Sequence, residues 1–296
     1  MTEIYYKNDK GEMILVGTVP ADTVGTPPPS TPEPTPTPEP PTTPEQPRGT
    51  DEFGTSVIYP TVAGGRVWNS TNFSTGANNR TLTGGVREGD MITEGNSKYI
   101  IIPTASEMQF SGPVPRLYVY DAGRTKYFEN IEVTAYYKMV SYMSGFQSGY
   151  QGFEIGTRGQ HEMERKSLNV ETYYIRHSLN GNWWRLKEDV HPKSNDVTVN
   201  KGVAFDLNKW YGMKAIFATL PNGNVRLQSY RDVTDGANGG TWTKMSDFTD
   251  TGNWAGKPAY SSKNSDCKSV LFRSDNVNDF RIKKLTIRQI DPATVN

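Results

Sequence analysis

The densest set of chemically capable side chains runs from Glu154 to His191. It comprises Glu154-Ile155-Gly156-Thr157-Arg158-Gly159-Gln160-His161, then Glu171-Thr172-Tyr173-Tyr174-Ile175-Arg176-His177, then Asn180-Gly181-Asn182-Trp183-Trp184-Arg185-Leu186-Lys187 and on to His191. All 3 histidines of the chain fall inside this window, beside two adjacent tryptophans. Aromatic rings next to guanidinium, imidazole and carboxylate groups are what sugar recognition needs. The rings cover the C–H faces of a pyranose and the polar groups hydrogen-bond its hydroxyls. The candidate glycan-binding residues are Tyr136, Glu154, Arg158, His161, Tyr174, Arg176, Trp184, Lys187 and His191. The competing reading is an ordinary solvated sheet face with cross-strand ion pairs.

These residues must be positioned by strands. From Arg48 onward the chain is rich in Gly, Asn, Thr, Tyr and Trp, and shows short runs of β pattern with turn residues between them. Runs such as 116–120, 131–140, 152–157, 172–179, 183–188, 211–219, 225–231, 269–273 and 280–290 read as strands, and none sustains a helical period. Asn180-Gly181 and Asn222-Gly223 are hairpin turn signals. Ile131, Val133, Ala135, Tyr137 and Met139 share one face of their strand, and Glu132, Thr134, Tyr136 and Lys138 the other. Trp183 and Trp184 point to opposite faces for the same reason. We expect Trp184, Arg158, His161, Arg176 and Lys187 on or beside one ligand-bearing sheet. In the last strand, Phe280 and Ile282 are out of phase with Leu285 and Ile287, so a bulge at Lys283-Lys284 is required for one buried face. The fold class is all-β, a two-sheet antiparallel jelly roll.

The order of these blocks and the closing run Asn276-Val277-Asn278-Asp279-Phe280-Arg281-Ile282-Lys283-Lys284-Leu285-Thr286-Ile287 resemble the concanavalin A-like lectin/glucanase jelly rolls, over about residues 55 to 292. That superfamily includes laminarin-binding lectin domains, glycoside hydrolases and alginate-type polysaccharide lyases. The resemblance implies a concave sheet that holds sugar. The hydrolase branch places Glu-x-Asp-x-x-Glu on one strand, with its carboxylates on one face. Glu154 is followed two residues later by Gly156, and the triplet is absent. The lyase branch has matching residue types in Arg158, Gln160, His161 and Tyr174. Its Gln and His flank an apolar residue, however, whereas Gln160 and His161 are adjacent. No catalytic residue is assigned, and lyase or hydrolase activity stands as the alternative to binding. The reading requires no cofactor. The stretch around Asp275, Asn276 and Asp279 offers oxygen ligands of the kind such folds use for a structural Ca²⁺, but it lacks the glycine and closing glutamate of an EF-hand. An Asx-rich turn is the simpler account.

Upstream lies a different kind of chain. Residues 20 to 47 hold 12 of the 20 prolines, which fix φ and remove amide donors. The run should be polyproline II, a spacer of about 60 Å at ~3.1 Å per residue. Its PxxP pattern also fits an SH3-type ligand, though arginines do not flank it as that reading wants. Residues 1 to 19 read as two short β runs, with Tyr5, Tyr6, Ile14 and Leu15 as an apolar anchor for a protein shell or base component. The chain thus divides into a docking peptide (1–19), a linker (20–50) and a lectin-like head (51–296).

Charge is balanced, 32 basic against 32 acidic residues, so neither nucleic acid nor an anionic membrane is an expected partner. No apolar run reaches the ~20 residues of a membrane span. The single cysteine, Cys267, excludes an intrachain disulfide. The expected partners are a glycan or polysaccharide and a docking protein, with homo-oligomerisation left open. Without a signal-peptide pattern at its start, the chain is expected to be made in the cytoplasm and displayed on a virion or other particle, as a decoration or fibre protein. A cell-surface lectin or a purely structural surface protein are the rival readings.

Overall fold

The computed structural model describes residues 2–7, 13–19, 48–70, 86–88, 91–95, 99–101, 107–123, 125, 128–145, 151–159, 169–190, 193–202, 204, 206–261 and 269–295. The chain falls into two units, Met1–Pro38 and Glu39–Asn296. In the first, β1 (Thr2–Lys7) pairs antiparallel with β2 (Met13–Val19), with Tyr5 opposite Leu15 and Tyr6 opposite Ile14. The four expected anchor residues are therefore cross-strand neighbours. The linker between residues 20 and 47 lies outside the described residues.

The second unit is built from two antiparallel sheets. Sheet I has the order β13 (Lys193–Lys201), β12 (Asn182–Val190), β11 (Asn169–Ser178), β10 (Gly152–Thr157), β17 (Ser269–Arg273), β8 (Arg116–Asp121), β5 (Met91–Gly95), β4 (Val86–Glu88). Sheet II has the order β16 (Thr243–Asp250), β15 (Val225–Asp232), β14 (Tyr211–Thr219), β9 (Ile131–Tyr142), β18 (Val277–Gln289), β7 (Met108–Gly112), β6 (Tyr99–Ile101). The short β3 (Val67–Asn69) also pairs with β18. The chain crosses between the sheets repeatedly, which makes the sandwich a jelly roll rather than two separate meanders. Both hairpin turns are where Asn-Gly was read. Asn180-Gly181 joins β11 to β12, and Asn222-Gly223 joins β14 to β15. Both glycines have positive φ, 84° and 86°, a region L-residues avoid.

Alternation decides what each sheet buries. Ile131, Val133, Ala135, Tyr137 and Met139 of β9 meet Phe153, Ile155, Tyr173, Ile175 and Trp183 of sheet I in the main core. The phase change in β18 is a real irregularity. Pairing with β9 shifts between Lys283 and Thr286, and Lys284 has φ 49°. Beyond it Leu285 and Ile287 rejoin Phe280 and Ile282 in the core.

The outer face of sheet II is closed as well. Ile58, Tyr59, Tyr136, Ile216, Tyr230, Trp242, Ile290 and Val295 form a second cluster there, from the sheet itself, the segment 48–61, the turn before β16 and the C-terminal residues. Strands β4, β5 and β13 were not anticipated. The sequence of β13, Lys-Ser-Asn-Asp-Val-Thr-Val-Asn-Lys, is polar because it is a sheet edge.

Candidate functional site

Strand β10 is the centre of the site. Phe153 and Ile155 enter the core, so Glu154 and Gly156 face outward from sheet I. The register then aligns Glu154 with residues on both sides. Arg116 of β8 pairs with Arg273 of β17, which pairs with Glu154; Glu154 pairs with Arg176 of β11, Arg176 with Trp184 of β12, and Trp184 with Thr198 of β13. One row of side-chain positions therefore crosses six strands, roughly 24 Å at ~4.8 Å per strand. The next row holds Tyr118, Leu271, Gly156, Tyr174, Leu186 and Asp196. Gly156 is obligatory in it, since a Cβ there would come within 2.5 Å of the Tyr174 ring. Tyr118, Tyr120, Tyr174, Leu186 and Leu271 pack as an apolar strip, with the half-buried Trp184 against it.

The first row is an ionic chain. Arg176 Nε donates to Glu154 Oε1 at 2.8 Å, and Arg273 Nε lies 3.5 Å from Glu154 Oε2. Arg273 Nη2 donates to Asp275 Oδ2 at 2.6 Å, and Arg116 Nη1 donates to Asp275 Oδ1 at 2.5 Å. Burial pushes the Asp275 carboxyl up, but the two guanidiniums outweigh it and hold the group below its ordinary value. Burial, with a smaller push from the Glu188 and Glu154 carboxylates, drives the Tyr174 hydroxyl well above 10, so it stays protonated. Its ring carries the Arg273 guanidinium 5.6 Å from its centre. The row is thus a run of paired charges beside a protonated phenol. It is well suited to fixed hydrogen bonding, because each charged group holds its neighbour's orientation.

Of the expected site residues, Glu154, Tyr174, Arg176 and Trp184 are brought together on this face. Three others are elsewhere. Lys187 points into the sandwich, where Nζ meets Asp250 Oδ2 at 2.6 Å and the carbonyls of Trp254 and Lys257 at 3.2 and 3.0 Å. It is three residues from Trp184, an odd interval that puts it on the opposite face. Arg158 ends β10 with φ 65°, which turns it out of the alternation. It is buried, donating to Thr219 Oγ1, Tyr260 O and Glu129 O. Tyr136 lies on the outer face of sheet II, buried against Trp242 and donating to Asp232 Oδ2 at 3.0 Å. None of these three adjoins the row. His161 and His191 lie outside the described residues, as do Gln160 and Cys267. Metal ligation by Asp275, Asn276 and Asp279 is not supported. Asp275 is held by two arginines, Asp279 by Arg281 at 2.9 and 3.0 Å, and the Asn276 carbonyl accepts from Met143 N. No group of metal-ligating side chains occurs among the described residues.

Arg116, Arg273 and Tyr118 were missed. Arg116 and Glu154 are brought into line by β17, more than a hundred residues further along, and only register shows it. The histidine inside the window that is described, His177, is a core residue. It stacks on Trp183 with ring centres 4.5 Å apart, and its Nδ1 is bonded to the Tyr137 hydroxyl.

No protein-family model and no curated protein matches the chain. Among solved structures it is similar to the exoplasmic/lumenal domain of VIP36 in its Ca²⁺/Man3GlcNAc-bound form, at 10% identity over 67% of this chain and 84% of that one, TM-score 0.41. It is also similar to lectin II from Ulex europaeus (8%, 75% and 97%, TM-score 0.43) and to a legume lectin-like domain from Entamoeba histolytica (7%, 67% and 90%, TM-score 0.40).

Proposed function

We propose that the chain is a carbohydrate-binding protein and that the outer face of sheet I is its recognition face. The observation that carries this is the single register row in which Arg273, Glu154 and Arg176 end on the half-buried Trp184, above a strip of tyrosines. Such a row offers a saccharide both pre-oriented hydrogen-bonding groups and an aromatic platform. Binding, not turnover, is the favoured chemistry, because Glu154 is ion-paired to Arg176 and Arg273 and has no second acid two residues along its strand.

On this reading the proline-rich segment is a spacer, and the β1–β2 pair is a docking element for a larger assembly. A phage or virus shell that must reach host surface polysaccharide fits that organisation. Several heads on one particle would gain avidity for a repetitive glycan. The test is a glycan array probed with the full chain and with Trp184→Ala. Hits that vanish in the variant support the assignment; a chain that binds no saccharide, or a variant that binds as well as the parent, rejects it.

A further inference from the structure

The end of the row at Asp275 carries a further inference, which rests on the recognition-face reading above. Arg116 and Arg273 are direct cross-strand partners, and like charges in that position repel. The carboxylate that reconciles them comes not from a strand but from the turn after β17. There Asn276 takes φ 55°, its N–H donates to Pro113 O at 2.9 Å, and its carbonyl accepts from Met143 N at 2.9 Å. The turn thereby holds the Asp275 carboxylate across two guanidiniums, one oxygen to each, at 2.5 and 2.6 Å. The arrangement opens to solvent at the carboxylate. Its side chain is 27% exposed, against 16% for Arg273 and 3% for Arg116. An open hollow of about 810 Å³, lined by Tyr142, Met143, Ser144, Gly145 and Asn278, includes the Met143 that bonds this turn.

We propose that Asp275 is an internal stand-in for a ligand anion, and that the chain binds acidic polysaccharide whose carboxylate or sulfate group takes its place between Arg116 and Arg273. The exchange conserves charge. One anion leaves the arginine pair as another arrives, so no buried cation is left uncompensated. The rest of the row orients the sugar. From Arg273 to Trp184 it spans three strand spacings, roughly 14 Å, long enough for an extended chain to reach the indole while its anion sits on the arginines. A neutral glycan gains nothing at the Asp275 end, which makes the turn a selector for acidic chains.

The test uses the full chain at fixed ionic strength with three polymers: polygalacturonate for carboxylate, dextran sulfate for sulfate ester, and dextran as the neutral control. Asp275→Asn keeps the shape of the side chain and removes its charge. It should tighten binding of an acidic polymer by about tenfold and leave dextran unchanged. Arg273→Lys keeps charge but loses the bridging geometry, and should weaken acidic binding by a similar factor. That variant decides the matter even if Asp275→Asn does not fold. Which acidic polymer responds tells carboxylate from sulfate. Acidic and neutral polymers bound equally, with no response to either variant, would overturn the acidic class while leaving the face intact. A chain that binds no saccharide, or whose binding Trp184→Ala leaves unchanged, would remove the face itself.

Discussion

The two outer faces of the sandwich carry the same motif, and they use it differently. Each sheet has a glutamate on a central strand, flanked by cations from the two neighbouring strands. On sheet I it is Glu154, with Arg176 and Arg273. On sheet II it is Glu132, with Lys214 Nζ at 3.0 Å and Arg288 Nη2 at 2.9 Å. The sheet II cluster is sealed by its own chain. The backbone N–H groups of Ile58 and Tyr59 donate to Glu132 Oε2 at 3.1 and 2.9 Å, and Arg288 donates in return to Tyr59 O and Thr61 Oγ1. Glu132 and Lys214 have no exposed surface at all. Burial pushes the Glu132 carboxyl up, yet Lys214 and Arg288 outweigh it and keep it ionised. On sheet I, Arg116, Glu154, Tyr174 and Arg176 are buried as well, but the row reaches solvent at the half-buried Trp184 and at the partly exposed Asp275 carboxylate on a turn. Charge and aromatic residues in one place do not mark a site; what closes over them does.

The largest expected effect tests that contrast directly. Glu132→Gln leaves a lysine and an arginine buried without their anion, and should cost about 3–5 kcal/mol in a denaturant titration. Glu154→Gln, which leaves Arg273 its Asp275 partner and an amide oxygen for Arg176, should cost about 1–2 kcal/mol. Equal losses would mean that the two faces are equally closed, and the row would then be a second core rather than a binding surface.

Adjacent tryptophans repeat the comparison across one sheet. Trp183 is fully buried in the main core, whereas Trp184 is half-buried on the outer face. Trp183→Ala should destabilise by about 3–5 kcal/mol. Trp184→Ala should cost less stability and weaken glycan binding by about 1–3 kcal/mol. The reverse outcome would place the recognition face on the wrong side of β12.

His177 reports on the layer between the faces. Burial first, and then the positive charge of Arg231, lower its pKa to about 3 from an ordinary 6.5. Below pH 6.5 the unfolded chain binds a proton that the folded chain refuses. Stability should therefore fall as pH drops from 6.5 towards 3, by about 1.4 kcal/mol per unit from this residue alone. Urea midpoints at pH 7 and pH 5 should differ more for the parent than for His177→Gln. Matching pH profiles would show that solvent reaches the ring, and that the core is not closed there.

Much of this was legible in the chain, and the failures have a common form. Alternation assigned the faces of β9 and separated Trp183 from Trp184, and the phase change in β18 announced its bulge. Those are properties of one strand at a time. Alternation does not say which sheet a strand joins, so Tyr136 was correctly turned away from Val133 but assigned to the wrong site. It also fails at a left-handed residue, which is how Arg158 left the face of Glu154. The row through Arg116, Arg273 and Glu154 is a matter of register between distant strands. Local pattern does not encode it, and it became visible only with the fold.

The smallest expected effect concerns where the sealed face begins. The hydrogen bonding of the head starts at its first described residue, Arg48, whose N–H donates to Val57 O at 3.2 Å, and Val57 N–H donates back to Gly49 O at 3.0 Å. That loop carries the Ile58 and Tyr59 amides to Glu132, so residues 48–61 belong to the closed cluster. Residues 20–47 are a different case by composition. Proline removes the amide donors that a sheet would use, and polyproline II has no ladder to share with one. A paired β1–β2 alone is marginal in water and has little stability to lend. Deleting residues 1–47 should therefore change the unfolding free energy by less than about 0.5 kcal/mol, whereas extending the deletion through Tyr59 should cost as much as Glu132→Gln. Thermal and denaturant unfolding of the two truncations against the full chain would check both. A large loss from the shorter deletion would mean that sheet II is sealed by more of the chain than residues 48–61, and that the proline run is part of the head rather than a spacer from it.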